Sequence, residues 1–266
     1  MHAMDRALRD IPAPCYRRAP QRDVLAALRE LAQVSSYFAV TAGPAGDTQA
    51  VAHLYGDTGL LAEVVGQVAE RIGTADRRVA VSTFFLGFAA RLWSIGMGAL
   101  SEHGLLIDLN PDQLHYAQNR GTVRLNLLDP VAWNVASDAP VPTLLPTRLA
   151  DMVLDEHLQP LSVGLRRLGP ISQPLLVGNA ASAALGAARA LHRYHGGDLA
   201  AEPGWALARA LCADERLSGA ICFTESGTEY RRRSCCLFYR TPTGGLCGDC
   251  ALSRQPEIRR HQKGPR

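Results

Sequence analysis

Four of the seven cysteines lie close together near the C-terminus, in the pattern C-C-x10-C-x2-C. They are Cys235, Cys236, Cys247 and Cys250. Residues 241–245, T-P-T-G-G, separate the two pairs, and such a segment favours a turn because proline presets φ and glycine accepts positive φ. The pattern therefore predicts a hairpin-like loop that presents four thiols to one centre, and the rest of the chain has to support that loop.

Disulfide bonds are one interpretation of these cysteines. Structural disulfides are typical of secreted proteins and rare in the cytosol. Residues 1–20 are charged and interrupted by proline, without the apolar segment of a signal peptide. A bridge between the neighbours Cys235 and Cys236 would also be strained. We therefore expect free or metal-bound thiols.

Zinc and an iron–sulfur cluster are the other two interpretations. All-cysteine zinc sites commonly contain a C-x2-C half, but adjacent residues rarely direct both sulfurs at one tetrahedral ion. A [2Fe–2S] cluster contains two separated irons that each take two thiolates, so it tolerates a C-C half better. The spacing favours the cluster, and structural zinc and simple structural thiols stay as alternatives.

Two segments resemble a known family. The C-C-x10-C-x2-C motif, preceded by Arg231-Arg232-Arg233-Ser234, resembles the C-terminal iron–sulfur motif of the FhuF family of ferric-siderophore reductases. It differs from the spacings of bacterial and plant ferredoxins. Residues 175–183, L-L-V-G-N-A-A-S-A, resemble the L-W-G-N-x-A-S segment of that family, with Val177 in the place of tryptophan.

The resemblance implies a siderophore-iron reductase in which the four cysteines hold a [2Fe–2S] cluster. The expected reaction is one-electron reduction of a cytoplasmic Fe(III)-siderophore, of the hydroxamate type, with release of Fe(II). The expected partners are the ferric siderophore and an electron donor such as a ferredoxin or flavoprotein. No catalytic side chain is needed for electron transfer.

Arg231, Arg232 and Arg233 are the candidate substrate-binding residues, since guanidinium groups bind anionic chelates or an acidic electron donor. A solvated run of charge is the alternative for them. For the whole chain, the alternative is a non-redox module that binds a siderophore or a protein and carries a structural four-cysteine zinc site.

Composition and the absence of other motifs exclude several classes of protein function. The apolar share is 47% and the charged share 20%, as in an ordinary soluble globular protein. A net charge of +3 gives no reason to expect nucleic acid as a partner. Motifs of serine hydrolases, P-loop NTPases and dinucleotide-binding enzymes are absent from the sequence. We expect a cytoplasmic protein, with at most peripheral association at the inner face of the membrane.

Hydrophobic periodicity predicts an α+β fold, mostly helical, with a small antiparallel β-meander and a C-terminal iron–sulfur loop. The most apolar run, 79–100, has the length of a membrane span but carries Arg91 at its centre, which favours a buried core helix. Other helices are predicted at 21–40, 58–72 and 147–168, from 172 or 179 to 195, and at 203–213. The meander is predicted at 105–109, 113–116 and 122–127, a loop at 130–146, and a strand at 221–224.

The expected organisation has four parts. Residues 1–20 form an irregular lead-in, and residues 21–220 form the helical siderophore-binding domain. Residues 221–252 form the [2Fe–2S]-binding segment. Residues 253–266 are polar and basic, which predicts a disordered tail.

Overall fold

A computed structural model describes residues 16–135 and 144–253. Across these residues the chain is mostly helical, with three small sheets, and the predicted α+β class is confirmed. The α-helices are α1 (Gln21–Leu31), α2 (Val51–Gly56), α3 (Thr58–Arg71), α4 (Arg77–His103), α5 (Leu144–Ala150), α6 (Gln159–Leu168), α7 (Gln173–His195) and α8 (Pro203–Ala213). The strands are β1 (Tyr16–Arg18), β2 (Val40–Ala42), β3 (Gln49–Ala50), β4 (Leu105–Ile107), β5 (Leu114–Asn119), β6 (Thr122–Leu127), β7 (Ala132–Val135), β8 (Ile221–Phe223) and β9 (Tyr230–Arg232).

Helix α4 is the centre of the fold. The Asp76 side chain caps its first turn by accepting a hydrogen bond from the Arg78 amide, and Gly104 ends it in the left-handed conformation. Its length and composition would suit a membrane span, but 72% of its apolar window is buried inside the protein. This burial supports the predicted core helix.

Glycine in α4 serves close packing. A Cβ on Gly98 would lie 2.8 Å from the Leu31 side chain, and one on Gly96 would lie 2.5 Å from that of Leu149. Neighbouring elements therefore approach the α4 backbone more closely than any other residue would allow. Helix α7 packs along α4, and these two helices form the platform on which the C-terminal segment lies.

The predicted β-meander is wrong in one of its three strands. Strands β5 and β6 form the expected antiparallel hairpin, but β4 pairs with β7 in a different sheet. The chain leaves β4 through two side-chain turns, in which Asp108 accepts from the Asn110 amide and Asn110 accepts from the Asp112 amide. These turns direct the chain away from the pairing of β4 with β5 that a three-stranded meander requires.

Other strands also escaped prediction, because their partners are distant in sequence. Part of the predicted loop at 130–146 is β7, which lies between β4 and β1, and β1 itself falls in the predicted irregular lead-in. Strand β2 pairs with β6 in parallel. The helix predicted at 21–40 ends at Leu31, after which a turn brings Phe38 into the core with no exposed surface.

The C-terminal half follows the predictions more closely. The helix predicted at 147–168 is α5, a π-helix over Asp151–Leu158 and then α6. Helix α8 has the predicted bounds, and the strand at 221–224 is β8, paired with β9. Cys15 and the tail from residue 254 lie outside the described residues, and the four-part division of the chain stays a prediction.

Candidate metal centre

All four cysteines of the motif lie in one loop region after β9. The sulfurs of Cys236 and Cys247 are 3.2 Å apart, so the loop brings the two pairs together as the spacing predicts. Cys236 is 3% exposed and Cys250 is 2% exposed, while Cys235 and Cys247 are half-buried. Each half of the motif thus contains one buried and one half-buried thiol.

The backbone bend that an adjacent pair requires falls just after it. Leu237 adopts the left-handed conformation with φ of 67°, which is unusual for a branched residue. The Leu237 amide then donates to the Cys235 sulfur at 3.3 Å. The bend therefore turns the chain back over the first pair of cysteines.

Gly244 has a different role from the one predicted for it. It is not among the glycines with positive φ in the described part of the chain. A Cβ at Gly244 would instead collide with the Phe238 carbonyl oxygen. The turn between the two cysteine pairs thus requires glycine for close approach and not for an unusual dihedral angle.

Several hydrogen bonds point at the sulfurs. The Leu252 amide donates to the Cys250 sulfur at 3.4 Å, as the Leu237 amide does to Cys235. The Phe238 amide also donates to Cys236, where it contributes to the lowered pKa of that thiol. Amide donors stabilise negative charge on thiolates and, in iron–sulfur proteins, tune the reduction potential.

Arg232 is the one basic group among the described residues that is buried against the sulfurs. Its side chain is 2% exposed and lies 3.0 Å from the Asp249 carboxylate. Burial alone would lower the pKa of Arg232, but the negative charges of Asp249, Cys236 and Cys247 outweigh it and raise the pKa. Its Nε is within 3.0 Å of Asp249 Oδ2 without the alignment of a hydrogen bond, so that donor remains available at the site.

The Cys236 and Cys247 sulfurs lie within hydrogen-bonding distance of each other, at 3.2 Å. The hydrogen bond from Cys247 lowers the pKa of Cys236, and the nearby Arg232 lowers it further. The same hydrogen bond raises the pKa of Cys247. Cys236 is therefore the thiolate of the pair, which prepares it as a metal ligand, because the thiolate is the form that binds metals.

Helices α4 and α7 hold the loop through buried polar contacts. Ser82 on α4 donates to the Cys236 carbonyl at 2.7 Å. Asn179 on α7 donates to the Ser82 hydroxyl at 3.0 Å and accepts from Arg232 at 3.0 Å. Ser182, one turn further along α7, donates to Asp249 at 2.5 Å. The network joins both helices to Cys236 and to Asp249, the residue before Cys250.

This network explains the second segment singled out in the sequence. Residues 175–183 lie in the first half of α7, and Asn179 and Ser182 hydrogen-bond to Arg232 and Asp249 beside the cysteines. Gly178 faces Ser234, whose hydroxyl would collide with a Cβ at position 178. The segment is thus the docking face for the cysteine loop.

The three arginines before the motif lie in different environments. Arg231 and Arg232 are buried, so the alternative of a solvated charge run is wrong for them. Arg231 donates to the Ser253 carbonyl at 2.6 Å, and the exposed Arg233 donates to the Cys222 sulfur at 3.1 Å. Substrate binding by these arginines stays a prediction.

Sequence reasoning missed two members of the site. Asp249 lies between Gly248 and Cys250, and a carboxylate inside the cysteine motif could have been recognised from the sequence as a member of the site. Ser82 carried no signal, because it lies in a uniformly apolar helix 154 positions from Cys236.

The donor set suits two irons. Within the described ranges, no three or more His, Cys, Asp or Glu side chains are grouped so that they hold one metal ion. A [2Fe–2S] cluster has a different requirement, because each iron takes two thiolates. Two pairs of sulfurs with amide donors and a buried cation meet that requirement.

Comparison with known families decides the identity of this segment. Residues 232–252 match the family model described as the FhuF 2Fe-2S C-terminal domain. The chain carries an FhuF-type iron–sulfur domain. No curated protein matches the chain.

The FhuF match begins at Arg232 and so includes the buried cation together with Asp249 and all four cysteines. It confirms the resemblance seen in the sequence, and the cofactor of this domain is a [2Fe–2S] cluster. Cys235, Cys236, Cys247 and Cys250 are the residues that would hold it. The match covers residues 232–252 and describes this segment alone.

Proposed function

We propose that this protein reduces a ferric hydroxamate siderophore by one electron and so releases ferrous iron. The observation that supports this proposal is the FhuF-type four-cysteine site with the Arg232 cation buried against its sulfurs. A bound [2Fe–2S] cluster would supply the single electron. The chain's own residues hold the cluster, shield it and set its charge environment.

Ligand chemistry explains why one electron suffices. Hydroxamate oxygens are hard and anionic, and they prefer the more highly charged Fe(III) to Fe(II). A trihydroxamate complex of Fe(III) has a neutral core and acquires one negative charge when the metal is reduced. The reduced complex binds its metal less tightly, so iron is released without cleavage of the siderophore.

Arg232 has a defined part in this reaction. A positive charge beside the sulfurs favours the state in which the site holds an additional electron. Asn179 and Asp249 fix the guanidinium in place from two sides. Arg232 is therefore a positioning residue that adjusts the energy of electron transfer.

The electron must be supplied from outside. We propose a one-electron donor protein, such as a ferredoxin or flavoprotein, and a cytoplasmic location with at most peripheral membrane association. The half-buried Cys247 and the exposed Leu246 and Tyr239 form the surface nearest the sulfurs at which such a donor would dock.

The test combines composition and turnover. Protein purified without oxygen should contain about two irons and two sulfides per chain. After reduction with dithionite and removal of excess reductant, it should convert a ferric trihydroxamate to Fe(II), detected with a ferrous-specific chelator. A Cys236→Ser variant is the control. Stoichiometric zinc without sulfide would support the structural-zinc module instead.

A further inference from the structure

A groove runs between α4 and α7 on the side of the turn that follows α1. Its volume is about 650 Å³, within the range of about 300–1,000 Å³ typical of ligand sites. We propose that this α4–α7 groove is the binding site for the ferric trihydroxamate. This inference rests on the proposed function and adds the location of its substrate.

The first argument is the connection of the groove to the cysteine site. Ser182 lines the groove and donates to Asp249 at 2.5 Å. Asp249 in turn accepts from Arg232 at 3.0 Å, and Arg232 lies against the Cys236 sulfur. One end of the groove is therefore separated from the cysteine sulfurs by a short chain of hydrogen-bonded side chains. Such proximity is what electron transfer to a bound substrate requires.

The second argument is the chemistry of the rim. Tyr37 and Tyr194 line the groove and are 42% and 52% exposed, so their rings are accessible to a bound ligand. Arg193 also lines it, and Arg91 stacks on the Tyr37 ring with its guanidinium carbon 4.8 Å from the ring centre. Neither arginine has a carboxylate partner among the described residues.

These groups match a trihydroxamate complex. The complex has apolar linkers, which the aromatic rings can cover, and electron-rich oxygens, to which guanidinium and hydroxyl groups donate. Reduction adds one negative charge to the complex, and Arg193 in the groove wall then favours the reduced form. The buried Ser94 also lines the wall of the groove and adds a polar side chain to it.

A second cavity, of about 410 Å³, lies on the other side of α7 and serves as a comparison. Its arginine, Arg216, already pairs with Asp151, Asp155 and Asp214. Its only lining arginine among the described residues is therefore already neutralised and is not available to a complex that becomes anionic. The distribution of charge favours the α4–α7 groove.

The test uses a glycine that the structure leaves open. Gly186 lines the groove in the middle of α7, and a Cβ there would meet nothing within 4 Å. Leucine at this position should fill the groove without displacing the backbone, and it favours helix more than glycine does. Gly66 in α3 is the matched control, because it is also helical with open space around it but lies outside the groove.

The probe is the gallium(III) complex of a neutral trihydroxamate siderophore, which binds like the ferric complex but accepts no electron. Isothermal titration of the full-length, cluster-loaded chain should give binding to the unmodified protein and to Gly66→Leu. Gly186→Leu should lose most of it, and Arg193→Ala should weaken it about tenfold, since a hydrogen bond to a charged group contributes about that factor. Arg167→Ala, an exposed arginine on α6, should bind normally.

The outcomes separate the two proposals. If Gly186→Leu and Arg193→Ala bind the gallium complex as the unmodified protein does, the groove assignment is wrong, even if ferric trihydroxamate is still reduced. If the unmodified protein binds the complex in the groove but reduces no ferric trihydroxamate, the groove assignment holds and the reductase proposal fails. Absence of binding to the unmodified protein would overturn the groove assignment. The visible spectrum of each variant shows that the cluster site is intact.

Discussion

Replacing Arg232 by glutamine should lower the reduction potential of the cluster. The guanidinium is buried against Cys236 and Cys247, with its side chain 2% exposed. Two unit charges about 4 Å apart interact by about 4 kcal/mol at an effective dielectric constant of about 20. Because the added electron is shared over the cluster, we take half of that value, about 2 kcal/mol, which equals about 80 mV for a one-electron couple.

The neighbouring carboxylate affects both the size of the shift and the stability. In Arg232→Gln the Asp249 charge remains, as it does in the unmodified protein, so the shift of about 80 mV reflects the loss of the guanidinium charge alone. That charge is also left buried without its partner, which destabilises the fold by about 3–5 kcal/mol. The double variant Arg232→Gln, Asp249→Asn removes both charges, so it should regain much of the stability and show a smaller shift.

The assay is an anaerobic redox titration that follows the visible absorption of the cluster, with iron and sulfide measured on the same samples. Arg232→Lys, which keeps the charge but not the fork of donors, should shift the potential less than Arg232→Gln. An unchanged potential in Arg232→Gln, with full iron and sulfide content, would refute the reasoning that Arg232 stabilises the reduced state.

Three further predictions follow from the described contacts. Serine in place of any one of the four motif cysteines should abolish or strongly destabilise the cluster and leave the helical circular dichroism unchanged. Serine at Cys15, Cys212 or Cys222 should leave the visible spectrum unchanged. A wild-type spectrum for serine at Cys235, Cys236, Cys247 or Cys250 would show that the ligand set is wrong. His157 is buried between the Tyr55 hydroxyl and the Leu109 carbonyl, and burial lowers its pKa to about 4. Because the unfolded chain takes up a proton on this histidine more readily than the folded protein does, the free energy of unfolding should fall by about 3 kcal/mol between pH 6.5 and pH 4. Denaturant titrations across that range should show the loss, and a His157→Gln variant with the same loss would contradict the assignment. Removal of residues 254–266 should preserve the cluster, because the Ser253 carbonyl that accepts from Arg231 is kept. Removal of residues 252–266 deletes that carbonyl and should lower the iron content of the purified protein.

The sequence predicted most of the helices because their signals are local. The bounds of α8 follow from Pro203 at its first position, and α4 follows from its long apolar run and its termination at Gly104. The strands were predicted less well, because pairing depends on residues far apart. No local pattern indicates that β7 lies between β1 and β4.

The sequence by itself determined the chemistry of the site. Four thiols in a C-C-x10-C-x2-C pattern favour a [2Fe–2S] cluster over zinc, and the match to the FhuF domain supports that choice. What surrounds the sulfurs was decided only by the tertiary structure. The sequence showed three adjacent arginines, and packing buried Arg232 against Cys236 while Arg233 stayed at the surface. Ser82, Asn179 and Ser182 reach the loop because α4 and α7 pack side by side, and the groove between the same helices exists for that reason alone.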